Sequence, residues 1–434
     1  MQKKNYFKIA LYVILAIVII GFLRNTSRLG MNDFDVVHRA ATRVLHTENL
    51  YNFEDGHYLY KYSPFFALLV APIGLLPLSY ASFLWLLGMC VSLFFIIKMS
   101  KKMIMGDKPP PGYFYLLSLL LASKFLVREI RLGQTDFLIL LFLFLCLLFL
   151  QRGKEFVAGI FLALSILIKP TSLIFFPYFL YKRRFRTAAS AILMSLVFLV
   201  LPSLVYGFSK NMNLLLGWKT IMSASSPPLL AVDMNQSIFA FFYRLLTPAP
   251  YEVNLLNLSY TAVNAIVYVT IISLFLLLLF LNKKSEAIEK SFRMNLQDES
   301  FVHNKESIEY SLLFIFMALF SPLGWFQNYS SSILALMILV YYVLETKFSK
   351  IPPFGLHFVL RLSVEGSPQG RRPKAGKDKF IIIMLVLFFI LVDAFNFETV
   401  GRRLNDLALY LSFITWGIFL LIASLSKLRL SKIA

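Results

Sequence analysis

Charge is scarce in this chain and lopsided where it occurs: 15% of the 434 residues are charged, with 23 Asp and Glu against 43 Lys and Arg. A soluble domain carries about 25% charged residues. That shortfall, with 58% hydrophobic residues and a mean hydropathy of +0.71, excludes an ordinary water-soluble fold. Cysteine is scarcer still. Cys90 and Cys146 are the two present, and both lie in apolar runs, where a disulfide framework or a thiolate metal site lacks partners. There is no P-loop, no G-x-G-x-x-G turn and no internal repeat, so a nucleotide-driven pump has no support. The net charge of +20 falls in the loops of a hydrophobic chain. It reads as a topology and anionic-lipid signal rather than a nucleic-acid surface.

What is abundant is apolar sequence. Runs of roughly 17 to 25 apolar residues can cross a hydrocarbon core about 30 Å thick, and about twelve such windows, several of them short, recur from Ile9–Leu23 to Leu407–Ser426. The reading is an all-α polytopic membrane protein forming one integral membrane domain over residues 1–434. The first span has no A-x-A-like site after Leu23 and reads as an anchor. Clusters such as Lys182, Arg183, Arg184 and Arg186 belong on the cytoplasmic side, which places both termini there. External loops then cover 24–79 and 207–259, with shorter ones at 128–136 and 398–406. Segments 282–309 and 345–379 become charged cytoplasmic tethers.

Long ordered loops between spans are usually functional. In the first, Phe34, Val37, Ala41, Val44 and Leu45 recur at helical spacing opposite Arg39, Arg43 and His46, which predicts a short amphipathic helix on the membrane plane. The run from Tyr62 to Pro72 is apolar but short and proline-punctuated, so it is expected to be re-entrant or surface-lying.

Ionisable groups near membrane depth are costly and serve as default functional candidates. Asp33 and Asp35 either cap the amphipathic helix or supply a base or metal-holding acid. At 128–136, Arg128 and Arg131 suit a phosphate, because a guanidinium donates two hydrogen bonds in one plane, and Gln134 suits a sugar hydroxyl. The alternative there is an Arg–Glu pair snorkelling at the interface. Lys169, before Pro170, either reaches to headgroup level or neutralises a departing phosphate. Trp325 and Asn328, with Asn235 and Gln236, form either an interfacial anchor or a sugar-binding surface.

These segments, taken in order, resemble a known family. Asp33-Phe34, Leu50-Tyr51, Tyr60-Lys61-Tyr62-Ser63-Pro64-Phe65, Gly133-Gln134-Thr135-Asp136, Ile168-Lys169-Pro170, Asn235-Gln236-Ser237 and Ser321-Pro322-Leu323-Gly324-Trp325 are similar to motifs of the bacterial polyprenol-phosphate-mannose-dependent mannosyltransferases, in the GT-C superfamily. The resemblance reaches to about residue 345. Where members often carry histidine after the tryptophan, this chain has Gln327 and Asn328.

The resemblance implies a GT-C-like bundle in the bacterial cytoplasmic membrane with an external active site. It also implies a polyprenyl-phosphate sugar donor, a lipid or glycan acceptor, and a first-loop catalytic acid at Asp33, with Asp35 as its rival. Arg128, Arg131 and Lys169 would face the donor phosphate. Gln134, Tyr62, Asn235, Gln236, Trp325 and Asn328 would face sugar or acceptor. No cofactor is expected, a divalent metal is open without support, and no nucleic-acid partner is expected. An O-antigen polymerase or ligase, dependent on Arg131 or Arg244, is one alternative. A lipid-linked-sugar flippase is the other.

Overall fold

A computed structural model describes residues 31–56, 58–225, 227–248, 254–292, 299–348, 376–395 and 397–431. The expected first span, Ile9–Leu23, and most of the 345–379 tether lie outside them. The described chain is helical, and its one β-bridge pairs Asn235 with Trp325. Contacts divide it into two compact units, Met1–Ile96 with Val127–Pro227, and Ile97–Leu126 with Pro228–Ala434.

In chain order the α-helices of seven residues or more are α1 (Asn32–Leu45), α2 (Pro64–Val70), α3 (Leu78–Met105), α4 (Phe114–Leu132), α5 (Asp136–Gln151), α6 (Glu155–Ile168), α7 (Phe175–Tyr181), α8 (Phe185–Val200) and α9 (Phe208–Ser225). They continue as α10 (Ile238–Leu246), α11 (Tyr260–Phe292), α12 (Glu299–Leu319), α13 (Ile333–Phe348), α14 (Gly376–Phe389), α15 (Phe397–Tyr410) and α16 (Phe413–Ser431).

Four described helices are long and apolar enough to cross a membrane: Leu78–Met105, Phe185–Tyr206, Tyr260–Leu281 and Phe326–Glu345. Two bent pairs raise the number to six if each is one span. They are α4 with α5, at 114°, and Lys379–Ala394 with Thr399–Tyr410, at 105°. The polytopic reading therefore stands, while the described helices give four to six spans by length and composition where the hydropathy windows give about twelve. The difference is physical: a helix such as Glu155–Ile168 is apolar yet only 14 residues long, about 21 Å at 1.5 Å per residue.

The expected amphipathic helix forms as α1. Phe34, Val37, Ala41 and Val44 are buried, while Leu45, the last residue of the helix and of the expected apolar face, is exposed. On its other side Arg43 makes a two-pronged ion pair with Asp55, at 2.6 and 2.8 Å. The run from Tyr62 folds as α2, capped by the Ser63 hydroxyl accepting from the Phe66 amide at 3.2 Å. Pro64 sits at its first position, where the missing N–H costs nothing. A 3-10 turn, Ala71–Leu75, then folds back on α1. In the same unit α6 packs against both α5 and α8. Cys90 and Cys146 are free thiols.

Candidate functional site

The site begins with a turn that needs glycine. Between α4 and α5 the chain reverses through Gly133, Gln134 and Thr135, and Gly133 adopts φ +68°, a region L residues rarely enter. A Cβ on Gly133 would come within 2.8 Å of the Phe34 Cβ. The turn thus lies directly on α1. Trp85 fixes it from α3, donating its indole N–H to the Gly133 carbonyl at 2.9 Å and packing on the Phe34 ring at a centroid distance of 5.1 Å.

This contact brings Gln134 to Asp33. The Gln134 amide Nε2 donates to Asp33 Oδ2. Its Oε1 accepts from Lys169 Nζ at 3.3 Å, and the same ammonium reaches both oxygens of Asp136, at 2.9 and 3.0 Å. Asp136 opens α5, and its backbone N–H donates at 2.8 Å to the buried Glu129. Lys169 caps the far end of α6. Asp33, Gln134, Asp136, Glu129 and Lys169 therefore form one continuous polar line drawn from four helices.

Capping is not what Asp33 does. The N-cap of α1 is Met31, without a side-chain cap bond, so Asp33 and Asp35 lie in the first turn, where carboxylates favour the helix dipole. Asp35 is exposed and Asp33 half-buried. Burial pushes the Asp33 carboxyl above the usual carboxylate range, against the opposing pull of Lys169, the Gln134 hydrogen bond and Arg128. It is a stronger base than a solvated aspartate, held in one orientation by Gln134.

Around it stand more groups. Lys61, half-buried, has its ammonium pulled down by burial and partly restored by Asp33. The buried Tyr62 phenol is pushed up to about 12 by burial and so stays protonated. Burial alone would pull Lys169 down, but Asp136, with Tyr62 and Glu129, more than offsets this and holds it raised. Arg128 is half-buried within electrostatic reach of Asp33, and Arg131 is exposed. Among the described residues no group of three His, Cys, Asp or Glu is placed to hold a metal ion.

The other unit gathers Asn235, Gln236, Trp325 and Asn328. The Asn235 amide donates at 2.9 Å to the Pro322 carbonyl, and its Oδ1 accepts from the Gly324 N–H at 3.0 Å. Gln236 donates to the Leu409 carbonyl at 2.9 Å. Both side chains are wholly buried and staple loop to loop, whereas Trp325 is half-buried and the Oδ1 of Asn328 is buried without a hydrogen-bond partner among the described residues. Arg244 is fully buried and donates to the Val232 and Asn235 carbonyls at 2.7 and 2.8 Å and to Ser412 at 2.7 Å. Replacing Arg244 would therefore test folding before chemistry.

Sequence reading overlooked Lys61 as a site residue, although it is a lone cation between two buried tyrosines. It quoted Asp136 only within the Gly133-Gln134-Thr135-Asp136 motif, without seeing that it pairs with Lys169. A protein-family model described as Glycosyltransferase family 87 matches residues 60–293. The matched stretch contains Lys61, Tyr62, Arg128, Gln134, Asp136, Lys169, Asn235 and Gln236, and excludes Asp33, Asp35, Trp325 and Asn328. No curated protein and no solved structure matches the chain.

Proposed function

The chain belongs to glycosyltransferase family 87, a family of GT-C-type membrane glycosyltransferases, and on that premise we propose that it moves a sugar, mannose first among candidates, from a polyprenyl-phosphate donor to a lipid or glycan acceptor. The reaction takes place at the external face of a bacterial cytoplasmic membrane and inverts the anomeric carbon. The observation that supports this most is the partly desolvated Asp33 carboxylate, oriented by Gln134 and flanked by Lys61, Arg128 and Lys169.

In the proposed reaction an acceptor hydroxyl attacks the anomeric carbon and gives its proton to Asp33. The bond from that carbon to the phosphate oxygen breaks, and the lipid phosphate leaves with the electron pair. General-base assistance of this kind contributes roughly 10² to 10⁴ in rate. Because Lys169 is engaged by Asp136, its part is to fix the Gln134 carbonyl. Arg128 and Arg131 then face the phosphate, as forked donors suited to it. Tyr62, in the same unit as Asp33, contacts sugar or acceptor, and Asp35 remains the rival base.

The test is purified protein in liposomes offered polyprenyl-phosphate-[¹⁴C]mannose or, separately, a nucleotide-linked mannose. The expected outcome is label in a new covalent product from the lipid donor alone. Transfer from the nucleotide sugar without the lipid would overturn the donor assignment. Translocation of unchanged lipid-linked sugar would favour the flippase.

A further inference from the structure

At the end of α6 opposite Lys169, helices α6 and α8 frame an open cavity of ≈ 520 Å³, lined by residues that include Lys154, Phe156, Val157, Arg186 and Leu193. The cavity follows from a close helix crossing. A Cβ on Gly159 would fall 2.5 Å from the Ser190 Cβ and 2.7 Å from the Thr187 carbonyl, so α6 and α8 touch almost backbone to backbone there. Ser190 ties them, donating its hydroxyl to the Phe156 carbonyl at 2.7 Å. Beyond that crossing, toward the loops, the two helices leave the cavity between them.

Its walls have two chemistries. Phe156 and Leu193 are large apolar side chains 55% and 53% exposed. At the rim stand Lys154 and Arg186, both exposed and neither in an ion pair or side-chain hydrogen bond among the described residues. The acid at the rim, Glu155, is already bound to Arg184 at 3.3 Å. Arg152, Lys182 and Arg183 lie on the same two loops, so the local charge is strongly positive with its one carboxylate spoken for. Apolar walls with a basic rim fit a molecule that is apolar along its length and anionic at one end.

We propose that this cavity is a binding site for an anionic phospholipid of the surrounding leaflet. Lys154 and Arg186 hold the headgroup phosphate, and the first part of an acyl chain lies along Phe156, Val157 and Leu193. Basic pockets between helices recognise anionic headgroups in this way. The occupant ties α6 to α8 at one end of the helix that carries Lys169 at the other.

Native mass spectrometry of the detergent-purified full chain, with phosphatidylglycerol, phosphatidylcholine or inorganic phosphate added at equal concentration, tests the site. One tightly retained phosphatidylglycerol is expected, with phosphatidylcholine and inorganic phosphate retained at least roughly tenfold less. A Lys154→Gln/Arg186→Gln double variant should lose the retained lipid. So should Leu193→Trp, which fills the cavity and leaves the charges intact. Equal retention of phosphatidylcholine, or retention undiminished in both variants, would overturn the proposal. Loss in the double variant with full retention in Leu193→Trp would also overturn it, because the lipid would then be held by loop charge and not by the cavity.

Discussion

Asp33 accepts a hydrogen bond from a residue 101 positions away in the chain, and that separation explains what could be read at the residue scale and what could not. An isolated acid just after an apolar anchor, and a Gln beside a Gly, were legible as candidates. Their meeting was not, because it depends on a positive-φ glycine pressed against Phe34. Three predictions test the pairing. Burial raises the Asp33 carboxyl above its solution value of 3.8, so the folded state holds its proton more tightly than the unfolded chain. Asp33 therefore lowers stability above its folded pKa, and that cost vanishes as pH falls below the unfolded value.

Asp33→Asn should consequently keep or raise the thermal midpoint at neutral pH while removing activity, as read by thermal unfolding in detergent beside a transfer assay. In the unmodified protein, the acid limb of the pH–rate profile should have its midpoint above 3.8, since the base works only when ionised. Gly133→Ala should cost about 1–3 kcal/mol for the forced backbone conformation and lower transfer, because the new Cβ separates Gln134 from Asp33. Unchanged stability and rate in that variant would remove the turn from the account.

At the scale of elements, the side-chain pattern was the dependable guide. Period-3.6 spacing of Phe34, Val37, Ala41 and Val44 placed α1 on the right residues, although Leu45 of the same pattern is exposed, whereas the run from Tyr62 to Pro72 was read as re-entrant or surface-lying and the helix α2 within it was not foreseen. The bend between α4 and α5 was not legible, since each arm is apolar enough to pass for a span and nothing in composition states the 114° between them. Ion pairing across elements was equally hidden. Lys169 ends α6, Asp136 begins α5, and the pair is largely shielded, with side chains 20% and 6% exposed. Removing one partner of a shielded pair strands a charge, so Asp136→Asn should cost about 3 kcal/mol or more. The double change Asp136→Leu/Lys169→Met should recover most of that in chemical denaturation. Similar losses in the single and double variants would show that the pair does not act as a unit.

For the whole molecule, composition established a membrane protein and the comparison established a glycosyltransferase. The number of spans was the weak point of hydropathy, because a helix buried among other helices is as apolar as one facing lipid. Glu155–Ile168, for example, is strongly apolar yet packed between α5 and α8 and only 14 residues long. The central claim is that Asp33 is the base of a transfer from a lipid-linked sugar. The most direct measurement compares transfer of radiolabelled mannose from polyprenyl phosphate by the unmodified protein, Asp33→Asn and Asp35→Asn at matched expression and folding. The account predicts a loss of about 10² or more in Asp33→Asn and near-normal transfer in Asp35→Asn. A folded Asp33→Asn protein that transfers mannose at the full rate would contradict it.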